Sequence, residues 1–102
     1  MKPPTSELRA KTGAEFSIDL PCNRTTGHRW EAHYDRSFIE LLTSTYTRSS
    51  EKMGSGGVEL FTFKALGEGR TLLRMAYKRP WEKASVKEAL YKVIIDDSLS
   101  NE

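Results

Sequence analysis

The sequence predicts an all-β chain folded as an antiparallel β-sandwich. Three observations predict it. Apolar and polar residues alternate strictly in several short stretches, the period-2 pattern of a half-buried strand. Turn signals rich in Gly, Pro and Asn separate these stretches at regular spacing. The one stretch with helix-forming composition, Glu82–Tyr91, lacks a 3.6-residue apolar stripe.

The elements follow in order. Residues 1–12 are polar and carry Pro3-Pro4, so they are expected to be a mobile arm or a short edge strand. Glu15-Phe16-Ser17-Ile18-Asp19-Leu20 alternates without exception and reads as strand, ended by Pro21, which cannot donate to a ladder. In Arg29–Tyr34 the side chains of Trp30, Ala32 and Tyr34 share one face, which assigns Trp30 to the core. Phe38–Tyr46 is apolar and then Thr-rich, either one bent strand or two short ones. Thr47–Gly57 is a polar, Gly-rich loop.

Val58–Leu66 is rich in β-branched and aromatic residues, but its phase shifts midway: Val58 and Leu60 fall on one face, Phe61, Phe63 and Ala65 on the other. A bulge, or a strand buried on both sides, is expected there. Gly67-Glu68-Gly69 is a tight-turn signal. Thr71, Leu73, Met75 and Tyr77 then alternate inward against Leu72, Arg74, Ala76 and Lys78. A loop beginning at Arg79 runs to about Lys87. The last strand, Ala89 to Ile95, faces Ala89, Tyr91, Val93 and Ile95 inward, and residues 97–102 are a tail. Glu82–Tyr91 contains helix formers but lacks the stripe, so it receives one helical turn at most.

Composition narrows function. The chain has 102 residues, the length of one domain, residues 1–102. Its 37% hydrophobic content alongside 29% charged residues places it among folded rather than disordered chains. Sixteen basic and 14 acidic residues give a formal charge of +2 with no block of like charges, which argues against nucleic acid as a partner. No apolar run reaches the roughly 20 residues of a membrane span. The opening Met1–Thr5 has no apolar core of a signal peptide, so the chain is expected to be cytoplasmic, or periplasmic or secreted if a leader has been removed. Cys22 is the one cysteine, which excludes an intrachain disulfide. Cys22, His28 and His33 invite a nucleophile or metal reading. The pattern supplies neither an orienting third group nor paired ligand spacing, so no catalytic residue, metal or cofactor is expected.

Three loops remain: Asn23-Arg24-Thr25-Thr26-Gly27, Gly54-Ser55-Gly56-Gly57 and Arg79-Pro80-Trp81. Each joins two predicted strands, and each mixes backbone-shaping residues with side chains able to grip a partner. A sandwich can gather such loops at one end. Trp and Arg in a loop are the residue types enriched in binding hot spots.

Taken in order, these loops resemble those of the chagasin-type inhibitors of papain-like cysteine peptidases. That family has an Asn-Pro-Thr-Thr-Gly loop followed shortly by a tryptophan, then Gly-X-Gly-Gly, then Arg-Pro-Trp or Arg-Pro-Phe. Here Trp30 follows Gly27 by three residues, and the resemblance spans about Phe16 to Ile95. Arg24 replaces the usual proline, which leaves that loop freer and adds a charge. The loops from Arg48 to Gly57 and after Trp81 also look short.

The resemblance implies an immunoglobulin-like sandwich that is not an enzyme. It implies that Thr25 and Thr26 enter a peptidase active site over its catalytic cysteine and histidine, that Gly54–Gly57 lies along one flank, and that Arg79 and Trp81 hold the other, with Pro80 stiffening that loop. Such a protein is expected to act as a monomer. The alternative is a non-inhibitory immunoglobulin-like module for adhesion or carbohydrate recognition, in which the loops need not converge and Trp30 and Trp81 stack on a ligand.

Overall fold

The computed structural model describes residues 5–23, 26–48 and 56–97. These form seven strands: β1 (Thr5–Ala10), β2 (Glu15–Cys22), β3 (Arg29–His33), β4 (Ile39–Arg48), β5 (Gly57–Ala65), β6 (Gly69–Lys78) and β7 (Lys87–Ile95). They make two sheets, one of four strands in the order β1-β7-β6-β3 and one of three in the order β2-β5-β4. The inward residues of both sheets meet in one core. Phe63, Ile39, Leu73, Met75, Ile95 and Val93 are fully buried in it, and Phe16, Tyr34 and Tyr91 pack at its margin. Each large apolar side chain so buried contributes on the order of 1.5–3 kcal/mol.

Four expectations change in detail. The N-terminal arm is an edge strand, and it pairs parallel to β7, with Thr5 opposite Leu90 and Ala10 opposite Ile95. The sandwich is therefore antiparallel except along this edge. Alternation within one strand cannot reveal the direction of its neighbour, and the seat of β1 depends on burying Ala10 and Leu8 against the core.

Pro21 does not end β2, which continues to Cys22. β2 lies at a sheet edge, where a missing N–H is tolerated. The Pro21 carbonyl accepts the indole N–H of Trp30 at 2.8 Å.

β5 has no phase shift. It alternates throughout, with Glu59, Phe61, Phe63 and Ala65 inward and Leu60 exposed. A buried glutamate disguised the period. The irregularity lies across the ladder in β4, a single bent strand whose register slips between Leu41 and Thr43.

β7 begins at Lys87, two residues before the expected Ala89, and the connection ahead of it contains turns and bends but no helix.

Register decides where the loops go. Cys22 and Arg48 both pair with Gly57, so the β2–β3 and β4–β5 connections leave the three-stranded sheet at the same end. In the other sheet Arg29 pairs with Lys78 and Tyr77 with Lys87, so the β6–β7 connection emerges beside the start of β3.

Candidate functional site

The described parts of the three predicted loops meet at this end. Arg24, Thr25, Gly54 and Ser55 lie outside the described residues. Asn23, Thr26, Gly27, Gly56, Gly57, Arg79, Pro80 and Trp81 lie within them.

The first and third loops touch directly. Arg79 donates from Nε to the Thr26 carbonyl at 3.1 Å. Gly27 has φ of +83°, a conformation that side chains rarely adopt, and a Cβ placed there would lie 3.8 Å from Cη2 of Trp81. The second loop abuts the first at its base: a Cβ on Gly56 would lie 3.8 Å from Cβ of Asn23. A recess of about 170 Å³ opens where Pro21, Cys22, Asn23, Gly56, Gly57, Tyr77 and Lys87 come together.

Gly57 has a packing reason of its own. A Cβ there would collide with the Thr47 carbonyl and stand 2.9 Å from the Tyr46 ring. Only glycine lets β4 and β5 approach this closely as they enter the loop.

The third loop is held by cations on carbonyls. Lys78 donates from Nζ to the carbonyls of Arg79 and Glu82, at 3.3 and 2.5 Å. The Arg79 guanidinium also meets the Glu82 carboxylate at 3.4 Å. The Glu82 N–H returns to the Arg79 carbonyl at 3.0 Å, and the Val86 N–H to that of Tyr77 at 2.8 Å. Within this frame Trp81 is 74% exposed. An indole left in water on a pinned loop is poised to be covered by a partner.

Trp30 is the opposite case, at 7% exposed. Its ring tilts against Tyr77 with centroids 4.8 Å apart. That confirms the core assignment and removes Trp30 as a platform for a ligand.

The pattern of the sequence missed Tyr77 and His28 as loop braces. Tyr77 closes β6 on the inward face, and its hydroxyl takes the Asn23 N–H at 3.0 Å. His28 stacks on the Tyr77 ring, with centroids 5.2 Å apart and planes 22° apart. Its place directly after Gly27, two residues from Thr26, was the available signal. Cys22 is buried, and its thiol points to the His28 carbonyl at 3.8 Å.

The family described as "Chagasin family peptidase inhibitor I42" matches residues 9–95, nearly the whole chain. The chain belongs to the chagasin family of peptidase inhibitors. It is 29% identical over 85 residues to amoebiasin-2 of Entamoeba histolytica, covering 78% of this chain and 69% of that protein. It is 28% identical over 80 residues to chagasin of Trypanosoma cruzi, covering 72% of this chain and 73% of that one. The fold is similar to the crystal structure of a cysteine protease inhibitor from Entamoeba histolytica, with a TM-score of 0.72 at 22% identity over 90% of this chain and 95% of the other. Membership in this family makes the chain a peptidase inhibitor rather than an enzyme.

Proposed function

We propose that this chagasin-family protein is a reversible, tight-binding inhibitor of papain-like cysteine peptidases that plugs the active-site cleft with its three loops. One observation carries the proposal. Thr26 and Gly27, Gly56 and Gly57, and Arg79 and Trp81 stand at one end of a rigid sandwich, with the first and third loops bonded to each other. The name of the similar Entamoeba structure, a cysteine protease inhibitor, supports the target class.

The physical logic is preorganisation. Loops already tied to the scaffold lose little further freedom on docking, so more of the contact energy appears as affinity. The Thr25-Thr26-Gly27 tip enters deepest because its side chains are small. Gly54–Gly57 runs along one flank, where glycine lets backbone approach backbone in the manner of an added strand. Trp81 covers apolar or aromatic surface on the other flank, with Arg79 beside it. An interface of standard size buries roughly 1,600 Å². No bond is made or broken; the cleft is simply filled.

The test is an inhibition assay against papain and a panel of cathepsins. Potent, reversible inhibition that competes with substrate is expected. No inhibition of any member at micromolar inhibitor would overturn the proposal.

A further inference from the structure

The Thr26 hydroxyl has one proton and two partners. Its Oγ1 lies 3.0 Å from the Asn23 carbonyl and 2.7 Å from Nδ1 of His28. The carbonyl only accepts, so the two contacts are hydrogen bonds at the same time only when the hydroxyl gives its proton to Asn23 and Nδ1 of His28 is the donor to Thr26.

From this we infer that His28 is a positioning residue for inhibition. It carries a proton on Nδ1, and the relay His28 Nδ1–H to Thr26 Oγ1–H to the Asn23 carbonyl sets the tip loop in its docking shape. The inference rests on the three-loop reading above and names the residue that presets the first of those loops.

Two further contacts make the relay directional. The His28 ring is stacked on Tyr77, which limits its rotation and aims Nδ1 back into the loop. The same Tyr77 presents its hydroxyl to Asn23, taking the N–H at 3.0 Å and facing the carbonyl at 3.4 Å. Asn23 and Thr26, the described residues on either side of the tip, thus hang on one aromatic pair rooted in β6. The neutral Nδ1–H ring and the imidazolium both make the bond to Thr26. The Nε2–H tautomer reverses the bond: Nδ1 accepts the hydroxyl proton and the Asn23 carbonyl loses Thr26 as a donor, which returns to the loop some of the freedom that docking must then remove.

Two measurements test this. In a long-range proton–nitrogen correlation spectrum of the uniformly ¹⁵N-labelled protein, whose ring-nitrogen shifts report the tautomer, the neutral His28 ring is expected to show a protonated Nδ1 and a bare Nε2. The reverse tautomer overturns the relay. The second measurement compares two variants against papain. His28→Phe keeps a ring on Tyr77 but loses the donor. His28→Asn loses the ring but returns an N–H near the position of Nδ1. His28→Phe is expected to raise the inhibition constant by about tenfold, the scale of one lost hydrogen bond, with an unchanged unfolding temperature, and His28→Asn to recover most of that loss. Equal inhibition by His28→Phe and the unaltered chain overturns the positioning role alone. No inhibition by the unaltered chain overturns the protease reading itself, and the spectrum still decides the relay.

Discussion

The two ends of this sandwich are built differently. At one end the turns are stitched by main-chain bonds. Gly13 N–H reaches the Ala65 carbonyl at 2.8 Å, Ala65 N–H reaches Ala14 at 2.9 Å, and Leu66 N–H reaches Phe38 at 2.8 Å. The strand connections there knit into one another and use their own donors and acceptors. At the other end main-chain bonds close the third loop, but among the described residues the loops are braced to the scaffold and to each other by side chains: Tyr77 on Asn23, Arg79 on Thr26, Lys78 on the carbonyls of Arg79 and Glu82. Side-chain bracing fixes a loop from below and leaves its outer face for a partner. Trp81 at 74% exposure is the clearest product of that arrangement. That contrast between the ends is what supports the proposal that the loop end is the docking surface.

The largest expected separation between the ends comes from Trp81→Ala. It should weaken inhibition of papain by about 2–4 kcal/mol, the range of a hot-spot tryptophan, while thermal unfolding stays essentially where it was. An unchanged inhibition constant would remove Trp81 from the mechanism.

Tyr77→Phe comes next. It leaves the core ring in place but removes the hydroxyl that accepts the Asn23 N–H, at a cost of about 1–2 kcal/mol. Because the brace links scaffold to loop, the loss should appear both in denaturant unfolding and in the inhibition constant. Loss in only one would show that the bond does not couple the two.

Asp35→Ala probes the closed end. Its carboxylate accepts the Ser37 N–H at 2.9 Å in the turn between β3 and β4. About 1 kcal/mol of stability should go, with inhibition unchanged. Weaker inhibition by this variant would mean that the two ends are coupled through the sandwich.

The smallest effect lies between the ends. Burial lifts the Tyr91 phenol above its ordinary 10.0, and the Asp19 carboxylate adds to the lift. In the unfolded chain this phenol ionises first, so the folded form holds more protons once pH passes about 10. Stability should therefore fall as pH rises above that value, and Tyr91→Phe should flatten this part of the alkaline slope in pH-dependent denaturant melts.

Much of the scaffold was legible because a strand with one face on a core must alternate. β2 and β6 declare themselves in this way. Legibility failed where one residue broke the pattern for a tertiary reason. Glu59 faces inward among Phe61, Phe63 and Ala65, so β5 looked out of phase. Pro21 looked like a stop because its need for a ladder bond was assumed, and the Trp30 indole that meets its carbonyl comes from the other sheet. For the site, the three loop motifs taken in order carried the reading, since glycine and proline between strands are ordinary turn formers and only a tryptophan beside a proline stood out by itself. The braces did not stand out. Tyr77 looks like any inward aromatic, and His28 looks like a partner for Cys22 until its ring is seen on Tyr77 and its Nδ1 on Thr26.

By itself, then, the sequence determined the strand content, most of the core and the identity of the three loops, because period-2 burial and turn chemistry act between residues close along the chain. The tertiary structure alone decided that β1 runs parallel to β7, that Pro21 stays within β2, and that Arg79 and Tyr77 reach back more than fifty residues to hold Thr26 and Asn23. Those outcomes depend on which strands become neighbours, and only the closing of two sheets around a shared core settles that.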